Sequence, residues 1–342
     1  MNEFLSHFSP SPLKIIEDNR FSRHNIRFFF KRDDLLNAFF SKTILVDHNM
    51  TQTISGNKFR KMKYNLLFMQ KNNIKRLLTF GGAFSNHIHA TAAAGRLFGI
   101  QTVGVIRGEE AANLSPTLRF AKDCGMILHF VSRADYREKE QLINHLKAQF
   151  GDFYYLPEGG TNDLALRGTA EIVGEIETQL NGIAPDFICV PCGTGGTIAG
   201  IISAAAHTTH VLGFSALKGD FLQNEVTSLL NMQKKGFYTE RGQIFIPTSE
   251  KIENNQNWSI NTDFHFGGYA RWTPELINFI NNFKEKHGIA LDPIYTGKMV
   301  FGLYKMIESG AILPNSTVVA VHTGGLQGIE GFNQRFGNLI LV

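Results

Sequence analysis

The 342-residue chain has little cysteine, little net charge and no long apolar run, and each shortage removes a class of protein. Three cysteines, Cys124, Cys189 and Cys192, are too few for a disulfide framework, so stability must come from a packed core. Cys189 and Cys192 have CxxC spacing but lack the further ligands of a zinc site and the thioredoxin-like setting of a redox motif. They are expected to end a buried strand and begin a turn, and no metal is expected. A formal charge of +4, without a basic patch interleaved with aromatics, gives no reason to expect nucleic acid, and the 29 phenylalanines are expected in the core. No segment reaches the roughly 18 apolar residues of a membrane span. Residues 1–19 carry Glu3, Glu17 and Asp18 and no continuous apolar stretch, unlike a secretory signal. The default expectation is a soluble cytoplasmic protein with no membrane partner.

What is present is a hydrophobic content of 43% and 33 glycines scattered between apolar segments, enough for two domains or one large α/β unit. Three places share one grammar of apolar run, glycine-rich turn and small-residue helix: residues 77–95, 187–206 and 317–332. In each, the turn can bring backbone N–H groups to an anion at a helix N-terminus, at the carboxyl end of a strand. Further strands are predicted over 102–106, 127–131 and 210–216, and amphipathic helices over 116–123, 133–150, 274–287 and 297–308. Alternating strands and helices predict a parallel, doubly wound α/β sheet. The basic run Lys58, Arg60, Lys61, Lys63 reads as one face of a solvated helix, with Lys58 set apart by the preceding Gly56-Asn57.

The glycine-rich segment at 192–200 lacks the third glycine and the following acidic residue of a dinucleotide site, and the closing Gly-Lys-Ser/Thr of a P-loop. It suits a single phosphate, cradled by the N–H groups of Gly193, Gly195 and Gly196 and the hydroxyls of Thr194 and Thr197. A single phosphate, a lysine in a Gly-Asn turn and hydroxyl residues at loop starts together suggest pyridoxal phosphate, whose aldehyde condenses with a lysine. His87 and His89 diverge by about 200° on a helix and so do not read as a metal pair.

The segments KRDDLL (31–36), SGNKFRK (55–61), TFGGAFSNHIHATAAAG (79–95), LPEGGTN (156–162), CGTGGT (192–197), LDPIYTGK (291–298) and HTGG (322–325) carry a resemblance. Together, and in this order, they resemble the D-cysteine desulfhydrase and 1-aminocyclopropane-1-carboxylate deaminase family. These are fold-type-II pyridoxal-phosphate enzymes related to the tryptophan synthase β chain. The resemblance runs from about residue 25 to the C-terminus. It implies two domains, each an open, mostly parallel sheet flanked by helices: a larger cofactor-binding domain from 1–60 and 159–342, and a smaller one from 61–158 closing over the active site. It also implies a homodimer acting on a small amino acid.

Carried over residue by residue, the resemblance makes Lys58 the Schiff-base lysine, with Asn57 beside it, and Asn86 the partner of the cofactor's ring hydroxyl. Ser85 matches a catalytic serine that holds the substrate carboxylate together with the N–H groups of Asn86 and His87. Gly193 to Thr197 match the phosphate loop, and Tyr269 and Tyr295 match two active-site tyrosines. The cyclopropane-opening deaminases have a glutamate after the second tyrosine, where this chain has Thr296. The ring nitrogen is therefore expected to face hydroxyls, from Thr323 and its neighbour Thr296. That favours β-elimination from D-cysteine to pyruvate, sulfide and ammonia, with Lys58 or Ser85 removing the Cα proton and Tyr295 assisting the leaving sulfur. Deamination of 1-aminocyclopropane-1-carboxylate to 2-oxobutyrate is the alternative. A non-catalytic regulatory protein that binds the cofactor or an amino acid is a second, disfavoured by the presence of Lys58 and Ser85. Residues 37–54 exceed the family's usual short connection, as a loop at the site mouth or as a partner contact.

Overall fold

The computed structural model describes residues 9–36, 56–234, 237–238, 244–245 and 257–341; the 37–54 insertion lies outside them. The strands are β1 (Leu13–Ile15), β2 (Arg27–Lys31), β3 (Arg76–Gly81), β4 (Gln101–Arg107), β5 (Ile127–Val131), β6 (Tyr154–Leu156), β7 (Phe187–Cys192), β8 (His210–Ser215), β9 (Phe237–Tyr238), β10 (Ile244–Phe245), β11 (Trp258–Asn261) and β12 (Thr317–Val321). They form a six-stranded sheet, β1-β2-β12-β7-β8-β11, a four-stranded sheet, β5-β4-β3-β6, and the β9–β10 pair. The four-stranded sheet is wholly parallel, and the six-stranded one is parallel except where β1 meets β2. Among the described residues, no helix is long and apolar enough to cross a membrane.

β12 shows why the large sheet is covered on both faces. All five of its residues are buried, and they alternate between two cores. Val318 and Ala320 pack with Phe28, Phe30 and the helices Pro274–His287 and Thr296–Glu308. Val319 and Val321 pack with Ile188, Val190 and the helices Asp163–Gln179 and Gly196–Ala204. The predicted helices 116–123 and 274–287 form with those bounds, each opened by a capping hydroxyl ahead of proline: Ser115 before Pro116 and Thr273 before Pro274. The helix expected over 133–150 begins at Lys139 instead, because Ser132 caps a separate short turn at Asp135–Arg137. Cys192 is the last residue of β7 rather than the first of the turn, and all three cysteines are free and buried.

The basic run is where the structure departs most from the sequence reading. It forms the start of the Gly56–Lys71 helix, but Arg60, Lys61 and Lys63 are only 0, 2 and 9% exposed. Arg60 donates to both oxygens of Asp33, at 2.6 and 2.8 Å, and to both oxygens of Glu175, each at 2.8 Å. Lys31 reaches the same Glu175 at 2.6 Å, and the Ser11 hydroxyl donates to Asp33. The run is thus an internal anchor, because buried guanidinium groups persist only when their hydrogen bonds are met by carboxylates. Gly168 permits this packing, since a Cβ there would lie 1.9 Å from the Arg60 carbonyl oxygen.

Burial pushes the Glu175 carboxyl up, but the hydrogen bonds and charge of Arg60, then those of Lys31, outweigh it and hold it below its usual range. A depressed carboxylate contributes stability that is present above its unfolded value, about 4.3, and is lost as pH falls through the folded one. Arg60→Leu leaves Asp33 without a cation and Glu175 with Lys31 alone, and is expected to cost about 3–5 kcal/mol in denaturant unfolding at neutral pH. The gap between wild type and variant is expected to shrink on acidification below pH 4.

Candidate active site

The carboxyl ends of β3, β7 and β12 open onto one cavity of about 490 Å³, and all three glycine-rich turns line it. Lys58 enters it from the first turn of the Gly56–Lys71 helix. Two contacts hold that turn: the Asn57 N–H donates to the Thr323 carbonyl at 3.1 Å, and the Asn57 side chain donates to the Thr197 hydroxyl at 3.0 Å. Gly56 has φ +68°, and a Cβ there would lie 2.0 Å from the Thr323 oxygen, so the turn after β12 and the turn carrying Lys58 interlock only around glycine. Lys58 is half-buried, and loss of hydration brings its amine down to about 8.

Lys61, three residues on and therefore on the same helix face, also lines the cavity. Its Nζ donates to the Gly159 carbonyl at 3.1 Å and the Thr161 hydroxyl at 3.0 Å. Burial, with the charge of Lys58 added, holds it well below the usual lysine range. Beside it stands the turn Gly193–Thr197. Gly195, at φ +77°, opens the Gly196–Ala204 helix, and among the described residues no side chain caps the free N–H groups of its first turn. A Cβ on Gly196 would come within 2.9 Å of the Lys61 Nζ and 2.7 Å of the Thr161 hydroxyl, filling the cradle. Thr194 and Thr161 share a 2.8 Å hydrogen bond at its edge.

Ser85 caps the Asn86–Phe98 helix by accepting from the Ile88 N–H at 3.3 Å, and lines the cavity with Asn86 and His87. The Asn86 amide oxygen accepts from Gln327 at 3.2 Å, which joins the helix to the segment after β12. The His87 ring is buried away from solvent, with Nε2 2.7 Å from the Thr79 hydroxyl. That hydroxyl gives its proton to the Leu156 carbonyl, so Nε2 is the donor. Burial, then the charges of Lys58 and Lys61, hold the imidazole well below its usual range and thus neutral.

Tyr269 and Tyr295 meet edge to face with centroids 6.2 Å apart. Asp292 positions Tyr295 by accepting the N–H groups of Ile294, Tyr295 and Thr296 at 3.0, 2.7 and 2.9 Å. Lys298 shapes the loop that carries Tyr269 by donating to the His265 and Gly268 carbonyls, both at 2.8 Å. Burial raises both phenols, Tyr295 well above the usual tyrosine range, so both keep their protons as hydrogen-bond donors. Thr323 lines the cavity, and Thr296, next to Tyr295, is buried with its hydroxyl unpartnered among the described residues.

Sequence reasoning did not single out Lys61, Thr161, Gln327, Arg107 or Glu158. The i, i+3 spacing of Lys61 from Lys58 was the available signal for the first. The others depend on contacts between distant segments. Arg107 ends β4 beside Gly82, and Glu158 pairs with Lys139 at 2.8 Å.

Uncapped N–H groups, threonine hydroxyls and a buried lysine amine around a cradle that a single Cβ would fill are a donor set that fits a phosphate monoester. The amine of Lys58 shares that cavity, so the residues present fit pyridoxal phosphate. A family model described as pyridoxal-phosphate dependent enzyme matches residues 7–324. The bifunctional D-cysteine desulfhydrase/1-aminocyclopropane-1-carboxylate deaminase of Arabidopsis thaliana, named as mitochondrial, is 30% identical over 296 residues, covering 81% of this chain and 70% of its own. Among solved structures, an ACC deaminase homologue shares the fold with a TM-score of 0.76 at 24% identity, over 99% of this chain and 98% of its own. A fungal L-serine ammonia-lyase from Rhizomucor miehei shares it at 0.62 and 16% identity, over 96% and 99%. The chain belongs to the pyridoxal-phosphate-dependent enzymes, in the family of the D-cysteine desulfhydrases and 1-aminocyclopropane-1-carboxylate deaminases.

Proposed function

We propose that this enzyme eliminates sulfide from D-cysteine, yielding pyruvate, sulfide and ammonia. The observation that supports this reading is that Thr323 lines the cavity and that threonine rather than a carboxylate follows Tyr295. Among the described lining residues the one carboxylate is Glu158, which follows β6 and is bound to Lys139. A hydroxyl supports less charge on the ring than a carboxylate does, which suits loss of a good β leaving group better than opening of a cyclopropane ring.

Lys58 would hold the cofactor through its aldehyde carbon. The cradle Gly193–Thr197 with Lys61 would hold the phosphate, Asn86 the ring hydroxyl and Thr323 the ring nitrogen. Bound there, the cofactor supplies an electron sink for the pair left at Cα. The chain's own groups do the rest. Ser85 and the N–H groups of Asn86 and His87, at a helix N-terminus, orient the substrate carboxylate. The Lys58 amine, with its lowered proton affinity, takes the Cα proton, and Ser85 is the second candidate base. Tyr295, packed edge to face against Tyr269, stands as proton donor to the departing sulfur. The same reading assigns residues 61–158, which contain the four-stranded sheet, to a smaller domain closing over a larger one of 1–60 and 159–342. It takes the enzyme to be a cytoplasmic homodimer.

Borohydride reduction of the holoenzyme is expected to leave cofactor mass on the peptide that contains Lys58, and Lys58→Ala is expected to lose the visible absorbance. Because the folded amine is depressed, its neutral fraction grows with pH: uptake of cofactor by apo-protein should rise about tenfold per unit up to about pH 8, then level off. Lys61→Met is expected to weaken cofactor affinity at least about tenfold, measured by equilibrium dialysis, as loss of a charged hydrogen bond would. Offered D-cysteine, L-cysteine, D-serine and 1-aminocyclopropane-1-carboxylate separately, the enzyme is expected to release sulfide and pyruvate from the first. Release of 2-oxobutyrate from the last, with no sulfide from D-cysteine, would overturn the assignment.

A further inference from the structure

We propose that Arg107 is a specificity-determining residue that holds a negative charge on the β-substituent of the amino acid, so that the substrate class is amino acids with an anionic β-substituent. The inference rests on the reading of the cavity as an amino-acid site and narrows it. Arg107 is the last residue of β4, next to β3, and its side chain lies along the turn that leads to Ser85. A Cβ on Gly82 would be 3.5 Å from its Nη2, which places the guanidinium beside that glycine at the cavity wall.

Charge pairing separates Arg107 from an ordinary surface arginine. Two cations stand over the Tyr136 ring, Lys139 at 5.3 Å and Arg107 at 5.5 Å. Lys139 has its anion, Glu158, at 2.8 Å. Arg107 has no anion among the described residues, and it lines the cavity over the Tyr136 ring while remaining exposed. Burial raises the Tyr269 phenol, the Arg107 charge pulls it back and the Asp292 and Glu158 charges push it up, so the guanidinium acts at the tyrosine side of the cavity together with these carboxylates. The α-carboxylate already has its place at Ser85 and the helix N-terminus. The remaining anion for Arg107 is one carried further out on the substrate. A thiolate qualifies, since a cation favours the ionised form of a thiol whose ordinary value is about 8.5, and the proton that Tyr295 gives as the C–S bond breaks lets the sulfur leave as hydrosulfide. The ring methylenes of the cyclopropane substrate do not.

D-Aspartate and D-asparagine have the same shape, differ in this one charge and carry no β leaving group, which makes them suitable probes for the holoenzyme. Calorimetric titration is expected to give a dissociation constant at least about tenfold lower for D-aspartate at low salt, with the ratio narrowing as salt screens the pair. Arg107→Gln is expected to bring the two constants together, and Arg107→Lys to retain part of the difference. Arg107 is exposed and outside every core cluster, so an unchanged unfolding temperature serves as the folding control. Equal constants in the wild type, or a ratio that survives Arg107→Gln, would overturn the inference while leaving the amino-acid site intact. If neither probe binds or shifts the cofactor's absorbance, the amino-acid reading itself falls, and the role of Arg107 with it.

Discussion

The Arg60 guanidinium, enclosed between Asp33 and Glu175, is the constraint on which the site depends. A buried cation with two carboxylate partners has one arrangement in which all its hydrogen bonds are met, and every displacement leaves a charge unpaired at a cost of several kcal/mol. That arrangement ties together β2, the segment after it, the Gly56–Lys71 helix and the Asp163–Gln179 helix. Because residues two apart on a helix point about 200° away from each other, the turn that fixes Arg60 in the core necessarily sends Lys58 the other way. Lys61, one residue beyond Arg60, follows Lys58 into the cavity. The rigid part of the turn and the reactive part are thus two faces of one helical segment.

The parallel sheets supply the second half of the geometry. In a parallel sheet all strands end on one edge, so the loops after β7 and β12 fall together, and the loop after β3, at the carboxyl edge of the other sheet, lines the same cavity. Each loop opens a helix whose first N–H groups have no partner within the helix, which favours anions on that edge. The six-stranded sheet contributes the cradle beside Lys61 and the turn that bears Thr323. The four-stranded sheet contributes Ser85, Asn86 and Arg107. The cavity is electrically asymmetric as a result: amines and open N–H groups line the cradle, while the tyrosine side carries neutral phenols and the Arg107 guanidinium.

Local chemistry explains which features could be read in advance. Ser115-Pro116 and Thr273-Pro274 announce helix starts regardless of surroundings, and Gly288 at φ +66° closes the second of these helices. β5 is legible as a short apolar run between turn residues. β2 is not: Arg27–Lys31 becomes an interior strand only because β12 pairs with it, with Arg27 donating to the Thr317 hydroxyl 290 positions away. β6, three residues long, likewise exists as a strand only beside β3.

The sequence by itself determined the α/β class, the three glycine-rich turns, the phosphate-sized cradle and the singular position of Lys58, because each depends on backbone freedom or spacing within a few residues. Tertiary structure alone decided that Arg60, Lys61 and Lys63 are interior and that Thr323 lines the cavity. It alone decided, too, that Arg107 stands at the cavity with no anion among the described residues. A basic residue looks the same in sequence whether it meets water or a carboxylate from a distant segment. Burial and charge pairing are properties of the space between segments, and that space is set only when the sheets close.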